Sequence, residues 1–236
     1  MATHHNTPVR YSGKGAGYNA LKEMPISIAL DHYGFFDDFT AVDDDQTNNW
    51  TVVKDTGASV GITADTAAGI LNLTSAATTD DDGASIQGNE IFRTTAGKNI
   101  YFAARLACND ADQTDIDCGL TVNFATNPEA ITTAADQIIF RVIDGDASIL
   151  CYTEKNGTAT STDSGVDLAD DTYVKLEILV EGTSTVKFYI NGGLVATHTT
   201  NIPDDENLTI GVASVSGSAT GTRATSLDYV GCWQER

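Results

Sequence analysis

The sequence predicts an all-β protein, an antiparallel β-sandwich or jelly roll that is preceded by an extended N-terminal arm. Apolar and polar residues alternate over many short segments, which is the pattern of strands with one face on a core. The chain has 21 glycines, and several of them follow Asn or Asp, as in tight turns. No long segment shows a sustained helical period, and about twelve short strands separated by turns are typical of a sandwich.

The clearest strand covers residues 172–180, where Val174, Leu176 and Ile178 share one face. Residues 186–190 alternate in the same way and lead into Asn191-Gly192, the strongest short signal for a hairpin turn. Turns are also expected at 144–146 and 154–157, and a hairpin is expected to join 100–106 to 119–124. The predicted strands are 50–53, 60–63, 69–74, 84–87, 100–106, 119–124, 138–142, 147–153, 172–180, 186–190, 194–200, 208–213 and 226–233.

The charge divides the chain into two parts. The formal net charge is -20, from 33 acidic and 13 basic residues. Residues 1–35 hold three basic and two acidic residues, a balance of +1, so residues 36–236 hold 10 and 31, a balance of -21. So acidic a chain is not expected to bind nucleic acid or to insert into a membrane. It has neither an apolar run of about 18 residues nor a secretory signal, so we expect it to be made in a cytoplasm.

Residues 1–35 are interpreted as an extended arm and residues 36–236 as the sandwich domain. Two interpretations of the arm remain open, a disordered tail or a segment that orders against a neighbouring subunit. Apolar anchors of this number are unusual in a pure linker and favour the second. The candidate docking residues are Arg10, Tyr11, Lys14, Tyr18, Leu21, Met24 and Ile26.

Three motifs carry a resemblance to a known fold family. The run 171–176, the hairpin Lys187-Phe188-Tyr189-Ile190-Asn191-Gly192 and the strand 208–212 are similar to the concanavalin A-like lectin/glucanase sandwich, the laminin-G-like jelly roll. The pattern at 100–105, the acidic loop after it and the tail 229–236 resemble jelly rolls of tailed-phage structural proteins. The resemblance covers about residues 36–236 and implies the sandwich fold.

The resemblance implies a non-enzymatic virion structural protein. We expect a capsid decoration or cement protein at the capsid surface that docks on the major capsid protein through its arm and forms a homo-oligomer on the particle. The alternative is a lectin-like module, on a phage head or tail, that binds cell-surface glycans and could require Ca²⁺. Its candidate sugar platforms, each also explained by packing, are Trp50, Tyr101, Tyr152, Tyr189 and Trp233.

A search for catalytic motifs is mostly negative. The glucanases of this fold carry Glu-x-Asp-x-Glu on one strand, which places an acid and a nucleophile on one face. The nearest approach here is Asp115-Ile116-Asp117, and Glu177 and Glu181 have Leu179 between them. Hydrolase, metalloprotease and phosphate-loop motifs are absent from the sequence, so we expect no enzymatic activity. His198 is expected at the surface of its strand.

The acidic loop 109–117 supports two interpretations. Its carboxylates are either a solvated turn or a Ca²⁺ site, because Ca²⁺ takes several oxygen ligands from closely spaced Asp and Asn. The candidate ligands are Asp110, Asp112, Asp115 and Asp117; no other cofactor is expected.

The four cysteines lack metal-site spacing. Cys108 and Cys118 flank the acidic loop, and a disulfide between them would add roughly 3 kcal/mol on a chain-entropy model. Reduced, buried thiols are the alternative that a cytoplasm favours.

Overall fold

The computed structural model describes residues 31–40, 49–63, 69–76, 79–124, 127–218 and 220–236. These ranges hold fifteen strands and two 3₁₀ helices, Ala111–Gln113 and Pro128–Thr133. The strands are β1 (His32–Asp37), β2 (Thr51–Lys54), β3 (Ser59–Ile62), β4 (Leu71–Thr74), β5 (Gly83–Gln87), β6 (Asn99–Cys108), β7 (Thr114–Thr121), β8 (Gln137–Ile143), β9 (Asp146–Lys155), β10 (Thr158–Asp167), β11 (Val174–Glu181), β12 (Thr185–Ile190), β13 (Gly193–His198), β14 (Thr209–Ser216) and β15 (Ala224–Glu235). In these same ranges, none of the helical segments is long and apolar enough to cross a bilayer.

The strands form two antiparallel sheets, which confirms the predicted sandwich. Sheet A has the order β13-β12-β11-β6-β15-β4-β3, and β1 pairs with β15 as an eighth strand. Sheet B has the order β10-β9-β8-β7-β14-β5-β2. Consecutive strands form hairpins in both sheets, while other neighbours are far apart in sequence, for example β6 beside β15 and β7 beside β14, as in a jelly roll.

The core lies between the inner faces of the two sheets. Alternate residues point inward, such as Phe102 and Leu106 on β6 and Phe140 on β8. Phe140 of sheet B meets Phe188 of sheet A edge to face, with ring centroids 5.2 Å apart. Such contacts join the sheets, because burial of aromatic side chains dominates core energetics.

Two of the predicted hairpins are confirmed and one is wrong. β12 and β13 pair around Asn191-Gly192, and β8 and β9 pair around Gly145. The expected hairpin between residues 100–106 and 119–124 does not form, because β6 lies in sheet A and β7 in sheet B. The acidic loop between them therefore crosses from one sheet to the other.

The prediction that His198 lies at the surface is wrong. Only 3% of His198 is exposed, and its ring packs against Phe188 at 5.1 Å between centroids. Its ring nitrogens each lie 3.0 Å from a threonine hydroxyl, Nδ1 from Thr153 and Nε2 from Thr162. Burial lowers the pKa of His198, so the ring is a neutral core residue.

Part of the predicted arm lies in sheet A. Residues 32–35 were assigned to the arm by the sequence, but β1 pairs antiparallel with the end of β15, from His32 opposite Glu235 to Asp37 opposite Val230. Asp37 also accepts a hydrogen bond from the indole nitrogen of Trp50 at 2.9 Å. The chain thus enters the described part of the sandwich along the C-terminal half of β15.

Candidate functional site

A cleft with acidic walls lies on the outer face of sheet B. Ile116 and Cys118 of β7 point into the core, so Asp115 and Asp117 point outward. The cleft has a volume of about 250 Å³. We call it the acidic cleft and define it by its lining residues, Asp81, Asp115, Asp117, Ile131, Thr132, Ala213 and Val215.

The polar and apolar sides of the cleft come from different elements. Asp115 and Asp117 come from β7, while Ala213 and Val215 come from the neighbouring strand β14. Ile131 belongs to the second 3₁₀ helix, which packs on β14. The acidic cleft is therefore lined by carboxylates on one side and by aliphatic side chains on the other.

Asp115 has the properties of a proton-exchanging group. Burial, together with the negative charges of Asp144, Asp117 and Asp81, raises the pKa of Asp115 to about 6. The backbone N–H of Asp144 opposes this shift by donating a hydrogen bond of 2.6 Å to Asp115 Oδ1. Asp115 therefore changes charge close to neutral pH, which perturbed carboxyls at functional sites commonly do.

Asp117 is held by Arg141, its neighbour on β8. Arg141 Nε donates to Asp117 Oδ1 at 2.7 Å, and a terminal nitrogen of Arg141 lies 3.4 Å from Asp117 Oδ2. Burial raises the pKa of Asp117, and the Arg141 charge opposes that rise. The guanidinium also stacks over the Tyr152 ring at 4.4 Å. Asp117 is therefore a structural carboxylate, and Tyr152 supports Arg141 rather than offering a free platform.

The strand has no room for a third acidic side chain. Gly119 is the next outward position after Asp115 and Asp117, so it stands where the glucanase pattern has its second Glu. A Cβ at Gly119 would lie 2.4 Å from the Ile138 carbonyl oxygen and 2.7 Å from Ile139 Cα. The backbone of β8 occupies that space.

We predict that Gly119→Ala lowers the free energy of unfolding by about 1–3 kcal/mol, because the added methyl overpacks the β7–β8 pair. Urea denaturation checks this value. Gly193→Ala is the control: a Cβ there meets only ordinary contact, 3.5 Å from the Ile190 carbonyl oxygen, so stability should barely change. Equal losses in the two variants would contradict the steric explanation.

The four candidate Ca²⁺ ligands do not form one group. Asp110 lies 3.4 Å from a terminal nitrogen of Arg223, and Asp112 is exposed on the first 3₁₀ helix. Asp115 and Asp117 line the acidic cleft. In the described ranges, with their gaps, no three His, Cys, Asp or Glu side chains are grouped so as to hold a metal ion.

All four cysteines are buried free thiols, so the candidate Cys108–Cys118 disulfide is not formed. The two residues lie on β6 and β7, which belong to different sheets. Burial raises the pKa of Cys108 to about 11 and that of Cys151 to about 12, and it raises the pKa of Cys118 and Cys232 as well. Such thiols are unreactive in the native state.

The outer face of sheet A carries most of the remaining candidate aromatics. We call this the aromatic face and define it by residues whose side chains point outward and cluster there: Phe36, Tyr101, Ala103, Leu179, Tyr189, Tyr229 and Trp233. Trp50, by contrast, is a core residue that is 4% exposed. The arm residues Arg10, Tyr11, Lys14, Tyr18, Leu21, Met24 and Ile26 lie outside the described residues.

Sequence signals found part of this site. The two-residue spacing of Asp115 and Asp117 was recognised as the nearest approach to the glucanase pattern, but both residues were assigned to the acidic loop ahead of the predicted strand 119–124, whereas β7 begins at Thr114. Arg141 was not singled out, because a lone Arg on a strand has no distinctive pattern. Asp81 belongs to the acidic run 80–82, which the sequence supports only as a solvated turn or a Ca²⁺ loop. Their contribution depends on strand pairing.

Comparison with known proteins shows a family and a fold. The model of the family described as "SO2946-like, C-terminal domain" matches residues 66–228, well over half of the chain. The crystal structure of SO2946, a protein of unknown function from Shewanella oneidensis MR-1, superposes with a TM-score of 0.58 at 16% identity, over 89% of this chain and 89% of that chain. No curated protein matches the chain in sequence.

Glycan-related proteins share the architecture. A Bacillus licheniformis β-glucanase gives a TM-score of 0.57 at 15% identity, over 84% of this chain and 96% of that chain. Botulinum neurotoxin type C, whose cell entry depends upon interaction with two ganglioside molecules, gives 0.54 at 11% identity, over 86% of this chain and 47% of that chain. Identities this low show the fold alone, which is the predicted concanavalin A-like jelly roll.

Proposed function

The chain belongs to the SO2946-like C-terminal domain family, and from this starting point we propose that it is a non-hydrolysing carbohydrate-binding protein whose sugar site is the acidic cleft. The observation that carries the proposal is the pairing of outward carboxylates with aliphatic side chains on a sheet face. The glucanase and the ganglioside-dependent toxin of the same fold support a glycan as the ligand class.

The lining of the acidic cleft suits a neutral sugar. Carboxylate oxygens of Asp81 and Asp115 accept hydrogen bonds from sugar hydroxyls, and bonds to an ionised acceptor are the strong ones. Ile131 and Val215 offer apolar surface to the C–H side of a sugar ring. The negative charge disfavours uronates and sialylated sugars. A volume of about 250 Å³ lies just under the range of about 300–1,000 Å³ for small-molecule sites, so the cleft suits one terminal ring.

Hydrolysis is disfavoured by what surrounds Asp115. A glycosidase needs two carboxyl groups on either side of the scissile bond, one as acid and one as nucleophile or base. Asp115 has a pKa suited to an acid, but both oxygens of Asp117 face Arg141. Gly119 supplies no carboxylate, and the β8 backbone excludes one. Asp115 is therefore the only carboxylate lining the cleft from β7 that is not paired with Arg141.

We expect the full chain to bind neutral oligosaccharides on a glycan array. The Asp115→Asn variant should bind the tightest of these glycans with at least about tenfold lower affinity, because a hydrogen bond to a charged acceptor is lost. Affinity should rise from about pH 5 to about pH 7, because Asp115 ionises near pH 6 and the ionised form accepts the stronger bonds. Isothermal titration calorimetry measures both effects.

Asp112→Asn is the matched control, because Asp112 is exposed in the same loop and does not line the cleft. It should bind like the original protein. Absence of binding to any neutral glycan would refute the proposal. Release of new reducing ends from a bound glycan would refute the non-hydrolysing part of it.

A second candidate is the virion decoration role that the sequence resemblance implies. It is favoured by the charge division, with a slightly basic first 35 residues before a domain of charge -21. Strong like charge keeps exposed copies on a lattice apart, while many weak arm contacts add up. Quantitative mass spectrometry of purified tailed-phage particles should then find the chain in fixed ratio to the major capsid protein. Absence from the particles would exclude this role.

A further inference from the structure

We propose that residues 1–30 dock on the aromatic face of the same chain and cover the outer side of sheet A. This inference is independent of the acidic cleft, which lies on the other sheet. The arm then binds to a surface of its own chain.

The first observation is burial on a face that points away from the core. Tyr101 and Leu179 are each 1% exposed, and Tyr189 is 3% exposed. The outer face of an antiparallel sheet is commonly solvated, with polar side chains. Both 3₁₀ helices pack on strands of sheet B, so neither of these described elements covers the aromatic face.

The second observation is the polar centre of the face. Glu177 points outward from β11 yet is 0% exposed. It accepts a hydrogen bond of 2.8 Å from the Tyr101 hydroxyl and lies 2.9 Å from Lys175 Nζ. An outward carboxylate without any exposure lies beneath other atoms, and its burial is tolerated because Lys175 and Tyr101 pair with it.

The shape of the face fits an extended segment. Register places Phe36, Gly231, Ala103, Glu177 and Tyr189 in one row across five strands. The rings of Phe36 and Trp233 lie against Gly231, and Ala103 has the smallest side chain of the row, so a shallow trough is centred on Ala103. Trp233 borders it, with its ring 5.8 Å from Tyr101 and 6.0 Å from Phe36.

Residues 1–30 are long enough to cross the aromatic face. The Asp31 carbonyl accepts a hydrogen bond from the Arg236 N–H, which places residue 31 at the C-terminal end of β15. From β1 to β12 there are four strand spacings of about 4.8 Å, or roughly 19 Å, which about six extended residues can span. Residues 1–30 can cross the face several times.

The composition and charge of residues 1–30 are compatible with binding to the aromatic face. Residues 1–30 contain apolar and aromatic side chains that suit a trough of Tyr, Trp and Leu: Tyr11, Tyr18, Leu21, Met24, Ile26 and Ile28. They hold three basic residues and one acidic residue, a charge of +2. Residues 31–236 hold 10 basic and 32 acidic residues, a charge of -22. The opposite net charges of the two parts favour their association at long range, while Arg105, Lys175 and Lys187 beside the aromatic face are paired with acidic neighbours.

The test is hydrogen exchange on the full chain, with Ala103→Arg as the variant. Ala103 points outward at the centre of the trough, so the Arg side chain should displace the arm without entering the core. Thr197→Arg is the control, because Thr197 is exposed on the outward side of β13 in the same sheet. In the original protein and in Thr197→Arg, we expect the amides of residues 5–28 to exchange at least about tenfold more slowly than those of an unstructured peptide. In Ala103→Arg, we expect them to exchange at the rate of an unstructured peptide.

Trypsin provides a second readout that does not depend on amide exchange. Cleavage after Arg10, Lys14 and Lys22 should be at least about tenfold faster in Ala103→Arg than in the control. Circular dichroism confirms that both variants are folded; if Ala103→Arg does not fold, Leu179→Gln replaces it. Arm exchange at the rate of an unstructured peptide in the original protein would overturn the proposal. So would protection that appears only as sedimentation shows a dimer, since a second copy would then be the occupant.

Discussion

Arg141→Met is expected to lower the free energy of unfolding by about 3–5 kcal/mol at neutral pH, because it leaves Asp117 as a buried carboxylate without its partner. Asp117 is 4% exposed, and its principal hydrogen bond comes from Arg141 Nε. Burial already raises the pKa of Asp117, and Arg141 is what opposes that rise. Without Arg141, ionised Asp117 strongly disfavours the folded state.

The stability loss in Arg141→Met should be larger at neutral pH than at acidic pH. A folded-state pKa above the unfolded value means that ionisation costs stability as the pH rises above about 3.9, the unfolded value for Asp. The penalty in Arg141→Met is therefore largest at about pH 7 and smaller near pH 4, where Asp117 is largely protonated. Urea denaturation at both pH values measures the difference.

Two further variants make this test specific. Arg141→Met combined with Asp117→Asn should recover part of the loss, because no buried charge remains. Arg105→Met breaks the partly exposed Arg105–Asp228 pair of sheet A and should cost about 1 kcal/mol or less. A loss in Arg141→Met that does not change between the two pH values would show that packing, and not charge, is responsible.

Phe188→Ala is expected to lower the free energy of unfolding by about 3–5 kcal/mol. Phe188 is 0% exposed and contacts Phe140 across the interface between the sheets, as well as His198. Removing its ring opens a cavity at the centre of the sandwich. Urea denaturation of the single variants and of the double variant with Phe140→Ala should give a coupling of about 0.5–1.5 kcal/mol.

Leu194→Ala serves as the control for this series. Leu194 is 56% exposed, so its truncation should change stability by no more than about 0.5 kcal/mol. A similar loss at Leu194 and Phe188, or complete additivity of the two Phe variants, would contradict the role given to the Phe140–Phe188 contact.

Strands that pair locally and bury one face could be predicted from the sequence. β11, β12 and β13 alternate clearly, and Asn191-Gly192 determines how the last two pair. β10 could not be found, because its residues 158–167 are almost all small or polar and lie on an exposed edge of sheet B, where no apolar alternation is required. The β6–β7 error has a different origin. Alternation shows which face of a strand is buried but not which sheet the strand joins.

The acidic cleft illustrates the same limit. From the sequence, Asp115 and Asp117 were assigned to an acidic loop ahead of a strand at 119–124, whereas β7 begins at Thr114 and carries both on its outer face. Their two-residue spacing could not distinguish a free carboxylate from one bound to Arg141, because that depends on β8 lying beside β7. Asp81 and Ile131 reach the cleft from segments distant in sequence, so long-range pairing assembled the site.

The four buried thiols can report how the folded structure opens. Cys108 and Cys232 lie on the β6–β15 pair of one sheet, and Cys118 and Cys151 lie on β7 and β9 of the other. Because all four thiols are buried in the core, alkylation must wait for the inner face of their sheet to become exposed. Labelling rates resolved by mass spectrometry would therefore distinguish two modes of opening without any engineered probe. Equal rates at all four thiols would indicate that the sheets separate in one step, and a faster pair would indicate that its sheet opens locally first.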